Sequence, residues 1–355
     1  MGKFTNKQLV IIIVSICAAF IVMGILTAVA MKYDESDNSA DDKVEAGGIT
    51  FHKKNGKDKF EFNIRSEGVD DEKTDSTKVK EPLETNPYEE LNSLIGLDKV
   101  KQEVRSLANF VKVQKMREEQ GLKTPHLSYH LVFTGSPGTG KTTVARIVAR
   151  IYKDLGILKK GHLVETDRSG LVGQYVGQTA PRVNAICDSA LNGVLFIDEA
   201  YAITQGESNN DYGAEAVATL LKRMEDDRDK LVVIVAGYTD EMKKFINANP
   251  GLQSRFNKYI NFPDYSAEDL YKIFEMYLRK NEYNITQEAV NYLKKSLDYT
   301  VDHKDRNFGN ARYVRNLFEK AIQCQANRVS KASNVTDRDL TEITLADIKQ
   351  AVADM

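Results

Sequence analysis

Residues 135 to 142 read Gly-Ser-Pro-Gly-Thr-Gly-Lys-Thr and match the P-loop pattern G-x-x-x-x-G-K-[ST] at every fixed position. No other feature constrains the fold as much, because this loop works only between a buried strand and a helix. Both flanks are present. Leu131-Val132-Phe133 reads as the strand, and Val144-Ala145-Arg146-Ile147-Val148-Ala149-Arg150-Ile151 reads as the helix. Glycines let backbone N–H groups wrap phosphates with no Cβ in the way. The helix N-terminus adds the positive end of a dipole. Gly135, Ser136, Pro137, Gly138, Thr139, Gly140, Lys141, Thr142 and Thr143 therefore form a candidate phosphate cradle. Lys141 is placed for the β- and γ-phosphates and the Thr142 hydroxyl for Mg²⁺. A second apolar strand, Gly193-Val194-Leu195-Phe196-Ile197, ends in Asp198-Glu199. This is the Walker B form, in which Asp198 serves Mg²⁺ and Glu199 polarises an attacking water.

Strands and helices alternate around these motifs. The pattern predicts strands over 129–134, 162–166, 193–198, 231–236 and 258–262, with helices over 98–119, 141–153, 179–191 and 213–226. Asp98 is placed to cap the first helix. Such alternation calls for an α/β fold, a largely parallel sheet with helices on both faces. Both phosphate motifs fall at strand C-terminal ends, where open α/β sheets bind ligands. From residue 266 the pattern is helical only, over 266–281, 286–297, 310–329 and 344–353. The expected organisation is a nucleotide-binding α/β subdomain over 86–265 and an all-helical lid over 266–355.

Six more segments carry a family resemblance. They are Ser93-Leu94-Ile95-Gly96-Leu97, the run 171–181, Phe196-Ile197-Asp198-Glu199-Ala200-Tyr201, Val235-Ala236-Gly237-Tyr238, the run 249–256 and Phe308-Gly309-Asn310-Ala311-Arg312. With the two phosphate motifs they make residues 86–355 resemble the AAA+ ATPases, and within them the subgroup of the Rubisco activase CbbX and stage V sporulation protein K. The resemblance implies hydrolysis of ATP with Mg²⁺, a homo-oligomeric ring that is hexameric in the family, and a protein substrate. By the same resemblance Arg255 looks like the arginine finger that reaches a neighbouring subunit's γ-phosphate. Arg312 looks like the sensor-2 arginine, and Ile95-Gly96 like the segment that packs on adenine. Tyr175-Val176-Gly177 sits where such rings place the aromatic pore loop that grips a polypeptide. The sequence departs from the family in two places. One arginine stands at the finger position where many relatives have two, and Gly237-Tyr238-Thr239 replaces the usual sensor-1 Asn, leaving Thr239 as the candidate. Without the family frame, a surface arginine most often pairs with a carboxylate or is solvated, and a loop tyrosine usually edges a core.

The N-terminal third differs in character. Residues 9–31 are apolar apart from Ser15, Thr27 and small residues. As a helix they span roughly 34 Å, against a bilayer core of about 30 Å. A signal peptide is the rival, since Lys3 and Lys7 precede the run and Ala28-Val29-Ala30 resembles a cleavage site. Cleavage would export an ATP-dependent domain to where ATP is scarce, so an uncleaved single-pass anchor after a short tail, 1–8, is expected, with the ATPase domain in the cytoplasm. Residues 32–85 are rich in charged and small polar residues and read as a mostly disordered linker, reaching roughly 40 Å as a flexible coil. Within it, Ile49-Thr50-Phe51 and Phe60-Glu61-Phe62-Asn63-Ile64 flank Asn55-Gly56, a hairpin signal. An isolated hairpin is marginal in water, so residual local structure is the expectation.

Composition narrows the alternatives. Lys plus Arg number 49 against 51 Asp plus Glu, which leaves no basic footprint for nucleic acid. Cys17, Cys187 and Cys324 have neither disulfide nor zinc spacing. A DNA-associated nucleotide-dependent factor therefore ranks below a protein-remodelling machine. A scaffold that binds ATP with little turnover is disfavoured by Glu199 and Arg255.

Overall fold

In the computed structural model the described residues are 43–46, 49–54, 57–62, 86–125, 128–205 and 212–355. The apolar run 9–31 and its expected anchor lie outside them. Among the described residues, no helix is long and apolar enough to cross a membrane.

The chain divides into two compact units, 1–80 and 81–355. The first holds a three-stranded antiparallel meander, β1 (Lys43–Ala46), β2 (Ile49–Lys54) and β3 (Lys57–Phe62). The β2–β3 register pairs Ile49 with Phe62 and Lys54 with Lys57. A third strand is what the sequence reading lacked, and three strands are what a small sheet needs.

The second unit opens with α1 (Pro87–Ser93) and α2 (Asp98–Glu119). Asp98 does not cap α2. The residue before the helix is Leu97, at φ 59°, and Asp98 lies inside the first turn, where its charge still complements the helix dipole. β4 (Leu131–Gly135) runs into α3 (Lys141–Asp154). β5 (Leu163–Thr166), the one-turn α4 (Arg168–Leu171) and α5 (Thr179–Ser189) follow. β6 (Gly193–Ile197) leads through a 3-10 turn (Ala200–Thr204) to α6 (Gly213–Asp226). β7 (Leu231–Gly237), α7 (Thr239–Asn247), α8 (Pro250–Arg255) and β8 (Tyr259–Phe262) complete the α/β part.

The five strands form one parallel sheet in the order β5-β6-β7-β4-β8. Period-two alternation builds a core on each face. Leu131, Phe133, Val194, Phe196, Val232 and Ile234 point to one side, with α2 and α3. Val132, Leu195, Ile197, Leu231, Val233 and Val235 point to the other, with α5 to α8. Strands buried on both faces read as unbroken apolar runs, which is why the sequence showed them clearly.

The lid consists of α9 (Ala267–Lys280), α10 (Gln287–Asp302), α11 (Ala311–Val329), α12 (Asp337–Thr341) and α13 (Leu345–Ala353). A two-residue parallel pairing of β9 (Asn284–Ile285) with β10 (Glu342–Ile343) ties α10 to α13. Its Leu270, Phe274, Leu293, Val314 and Phe318 belong to the same core as α2 and α3. The lid is thus packed onto the face that carries the P-loop helix.

Candidate active site

The strand order decides which chain ends meet. β7 lies between β4 and β6, so Gly237-Tyr238-Thr239 emerges between the P-loop and Asp198-Glu199. These three strand ends form one edge of the sheet.

On that edge the P-loop passes from β4 into the N-terminus of α3. Lys141 Nζ donates to the Gly135 and Ser136 carbonyls at 2.9 and 2.8 Å. Thr139 is fully buried, with Oγ1 donating to Ser136 O at 2.8 Å. Burial lowers the Lys141 pKa; Asp198 and Glu199 oppose this and Arg312 adds to it. The P-loop lysine, both Walker B carboxylates and the lid arginine therefore share one electrostatic neighbourhood. Thr142 is half-buried in the first turn of α3 and Thr143 is exposed.

Asp198 is half-buried, and its Oδ1 accepts from the Glu199 N–H at 3.1 Å. Glu199 is exposed at φ 47°, a left-handed conformation that costs a non-glycine residue about 1–2 kcal/mol. Such strain gathers at functional sites. The Glu199 carboxylate is near enough to Lys141 to act on its charge. Burial pushes the Tyr201 phenol up to about 12, with Glu199, Tyr238, Glu241 and Asp198 adding to it.

A polar cleft of about 270 Å³ opens beside the P-loop, lined by Gly135, Ser136, Tyr238, Thr239, Asn261 and Arg306 among others. Thr239 lines this cleft as the first residue of α7, two residues beyond the end of β7. Gly96 lies beside Asp269 and Tyr265. A Cβ placed on Gly96 would lie 3.4 Å from the Tyr265 ring, and one on Gly140 would lie 3.5 Å from Leu97 and from the Tyr265 hydroxyl.

The lid touches the P-loop directly. Gly138 has φ +70°, and a Cβ there would lie 2.1 Å from Gly309 O. The Ala311 N–H donates to Gly138 O at 3.2 Å, one residue before Arg312. Asn310 is the hub of this contact and escaped the sequence reading as a site residue. It is fully buried, accepts from the Tyr265 N–H at 2.9 Å, and donates to Asp264 Oδ1 at 2.9 Å and Pro137 O at 3.3 Å. Its φ of 48° suits Asn better than other side-chain-bearing residues. Arg306 was also missed. It bridges lid and sheet through Glu241, at 2.8 and 3.0 Å.

Two predicted groups are not among the residues that line this cleft. Tyr175 and Val176 are 68% and 83% exposed, between α4 and α5. Gln178 N–H donates to Tyr175 O at 3.3 Å, and Gly177 has φ +79°, the turn position that favours glycine. Arg255 ends α8, ahead of β8. Its carbonyl accepts from Ser128 Oγ at 2.6 Å, and its Nη2 pairs with Glu225 Oε2 at 2.9 Å. Burial, with the charge of Arg255 adding, pushes neighbouring His130 down to about 4. Ser128 and His130 precede β4, whereas the P-loop follows it. About 16 Å of strand separates the two, so Arg255 does not meet its own P-loop.

The residues suit a nucleotide with Mg²⁺. Thr142 follows Lys141 in the first turn of α3, and the charge of Asp198 acts on Lys141. Among the described residues no group of three or more His, Cys, Asp or Glu is arranged to hold a metal. Mg²⁺ takes one or two protein oxygens and fills its shell with phosphates and water.

Comparison with known proteins agrees with this geometry. Residues 131–264 match the model of the ATPase family associated with various cellular activities (AAA), and residues 266–355 match the AAA lid domain. The chain belongs to the AAA ATPase family. Its relatives include the chloroplastic ribulose bisphosphate carboxylase/oxygenase activase of Cyanidioschyzon merolae, 43% identical over 77% of this chain and 92% of the relative. Stage V sporulation protein K of Bacillus subtilis is 41% identical over 73% of this chain and 80% of its own. The ESX-3 secretion system protein EccA3 of Mycobacterium leprae is 40% identical over 74% of this chain but only 44% of its own length. Among solved structures, the FIGL-1 AAA domain in complex with ADP matches with TM-score 0.53 at 20% identity, over 74% of this chain and 82% of that one. That likeness speaks for the fold alone. This AAA ATPase binds nucleotide and hydrolyses ATP.

Proposed function

We propose that this AAA ATPase works as a homo-oligomeric ring, held at a membrane by residues 9–31, and couples Mg-ATP hydrolysis to remodelling or threading a protein partner. The observation that carries the reading is the exposed Tyr175-Val176 tip. An aromatic beside an aliphatic on a glycine turn, away from the phosphate cradle, suits apolar grip on peptide of many sequences. The names of two relatives, an enzyme activase and a secretion-system protein, fit work on another protein.

The roles proposed are these. Lys141 and the P-loop amides compensate phosphate charge. Thr142 and Asp198 would hold Mg²⁺, which supplies neutralisation of charge developing on the phosphates. Glu199, the second carboxylate after β6, orients and polarises the water. Thr239, between the two motifs, reads the state of the phosphates. Arg312 reports it to the lid, and Arg255 completes the site of the next subunit. Ile95-Gly96 packs on adenine.

Separating binding from turnover tests this assignment. Lys141→Ala should abolish ATP binding. Glu199→Gln should keep binding, lose turnover and hold the partner protein in a stable complex. Equal loss of binding in both variants would refute the roles given.

A further inference from the structure

The backbone leading to Tyr175 and Val176 is bonded down on its approach. Asp167 caps α4, accepting from the Ser169 and Gly170 N–H groups at 2.8 and 3.2 Å. The Val172 N–H donates to Arg168 O at 2.9 Å. The Gly173 N–H donates to Oγ1 of fully buried Thr179 at 3.0 Å, which closes the base of the loop against the start of α5. Arg182 Nη1 adds a bond to Val172 O at 3.3 Å. Residues 167–173 thus form one hydrogen-bonded piece, and the exposed tip projects from its end.

That piece is joined to the Walker B segment at two points. The Asp198 N–H donates at 2.9 Å to the carbonyl of Thr166, the residue before Asp167. Arg168 Nη1 donates to Ala202 O at 2.7 Å and to Ile203 O. Both carbonyls belong to the 3-10 turn that begins directly after Glu199, and the Ala202 N–H donates to Glu199 O at 2.8 Å. One guanidinium nitrogen therefore holds the far end of a turn whose near end carries the left-handed backbone of Glu199. Water could satisfy these two carbonyls about as well. What water cannot do is fix them to α4.

We infer that Arg168 is a positioning residue that ties the Tyr175-Val176 tip to the turn after Glu199, so that the nucleotide held beside Asp198 and Glu199 sets where the tip stands. The inference rests on the threading reading above and names the side chain through which the site drives the tip. Linkage makes the tie reciprocal, so polypeptide held at the tip alters nucleotide affinity by the same factor.

The chain has no tryptophan, so Tyr175→Trp gives the tip a reporter of its own. The experiment compares tryptophan emission of the full-length protein in mild detergent with ADP and with a non-hydrolysable ATP analogue. Tyr175→Trp should emit differently in the two nucleotides. Adding Arg168→Gln should abolish that difference while both nucleotides still bind. Arg168→Lys keeps a cation with three donors and should restore most of it. Asp167→Ala, at an exposed position, loosens α4 without touching the Walker B turn and should at least halve the difference. This variant decides the matter if Arg168→Gln melts too early to be read. An undiminished difference in Arg168→Gln or in Asp167→Ala would overturn the inference, and so would failure of Arg168→Lys to restore it. Identical emission of Tyr175→Trp in the two nucleotides would overturn it as well. The expected differences, found in a protein whose hydrolysis no unfolded test polypeptide stimulates, would support the tie and overturn the threading reading alone.

Discussion

Tyr175→Ala separates a gripping loop from a structural one. A large aromatic buries about 150–250 Å² when fully covered. Tyr175 is 68% exposed, so about a third of that area, roughly 50–80 Å², is covered. At about 25 cal/mol/Å² the loss on truncation is at most about 2 kcal/mol. A buried aromatic cut to alanine costs about 3–5 kcal/mol. For a unit of this size 1 kcal/mol shifts the melting temperature by roughly 2–4 °C. The variant should therefore melt no more than about 8 °C early, against roughly 6–20 °C for a core residue. ATP binding and basal hydrolysis should remain near wild type, because the loop follows β5, three places from β4 in the sheet. Stimulation of hydrolysis by an unfolded test polypeptide should disappear. Differential scanning calorimetry and steady-state ATPase assays on one preparation read all three. A variant that melts about 10 °C early and loses basal turnover would refute the reasoning, and so would one that keeps full stimulation.

Further expectations concern assembly, the lid and topology. Arg255→Ala should bind ATP normally yet hydrolyse it about 10³–10⁵-fold more slowly if the finger works as it does in related phosphoryl transfer, and mixing it with Lys141→Ala subunits should restore part of the rate; full activity of Arg255→Ala alone would contradict action between subunits. Asn310→Ala leaves the buried Tyr265 N–H and Pro137 carbonyl without their partner and forces alanine into φ 48°, so equilibrium unfolding should show a loss of about 3–5 kcal/mol, with weaker ATP binding as the lid loosens. Protease added outside intact cells should leave residues 86–355 uncut, and a mature N-terminus at Met31 would instead show that Ala28-Val29-Ala30 is cleaved.

Much of this protein was written locally. The P-loop, its strand and its helix occupy about twenty consecutive residues, and backbone sterics with hydrophobic periodicity fix them with little outside help. The same holds for β6 with Asp198-Glu199, for the apolar strands of the sheet, for the long lid helices and for the glycine turn under Tyr175. Short elements were missed. α4, α8 and the β9–β10 pairing hold two to six residues each, too few for a period to show. Asp98 fits the capping pattern, yet the chain enters α2 through Leu97, and no local rule foretold that.

Neighbours along the strand order and contacts across the chain are a different matter. Nothing near residue 237 says that β7 will lie between β4 and β6, and that placement alone brings Tyr238 and Thr239 beside the phosphates. Nothing near residue 310 says that its amide will reach Pro137, 173 residues away. Arg255 could be picked out in the sequence by resemblance, but only the sheet shows it at the edge opposite its own P-loop. The sequence by itself determined which segments are strands, helices and phosphate-binding turns, because those follow from sterics and burial over a few residues. The tertiary structure decided which of them share an edge, because that depends on how two faces of one sheet are buried at once, a condition no single segment carries.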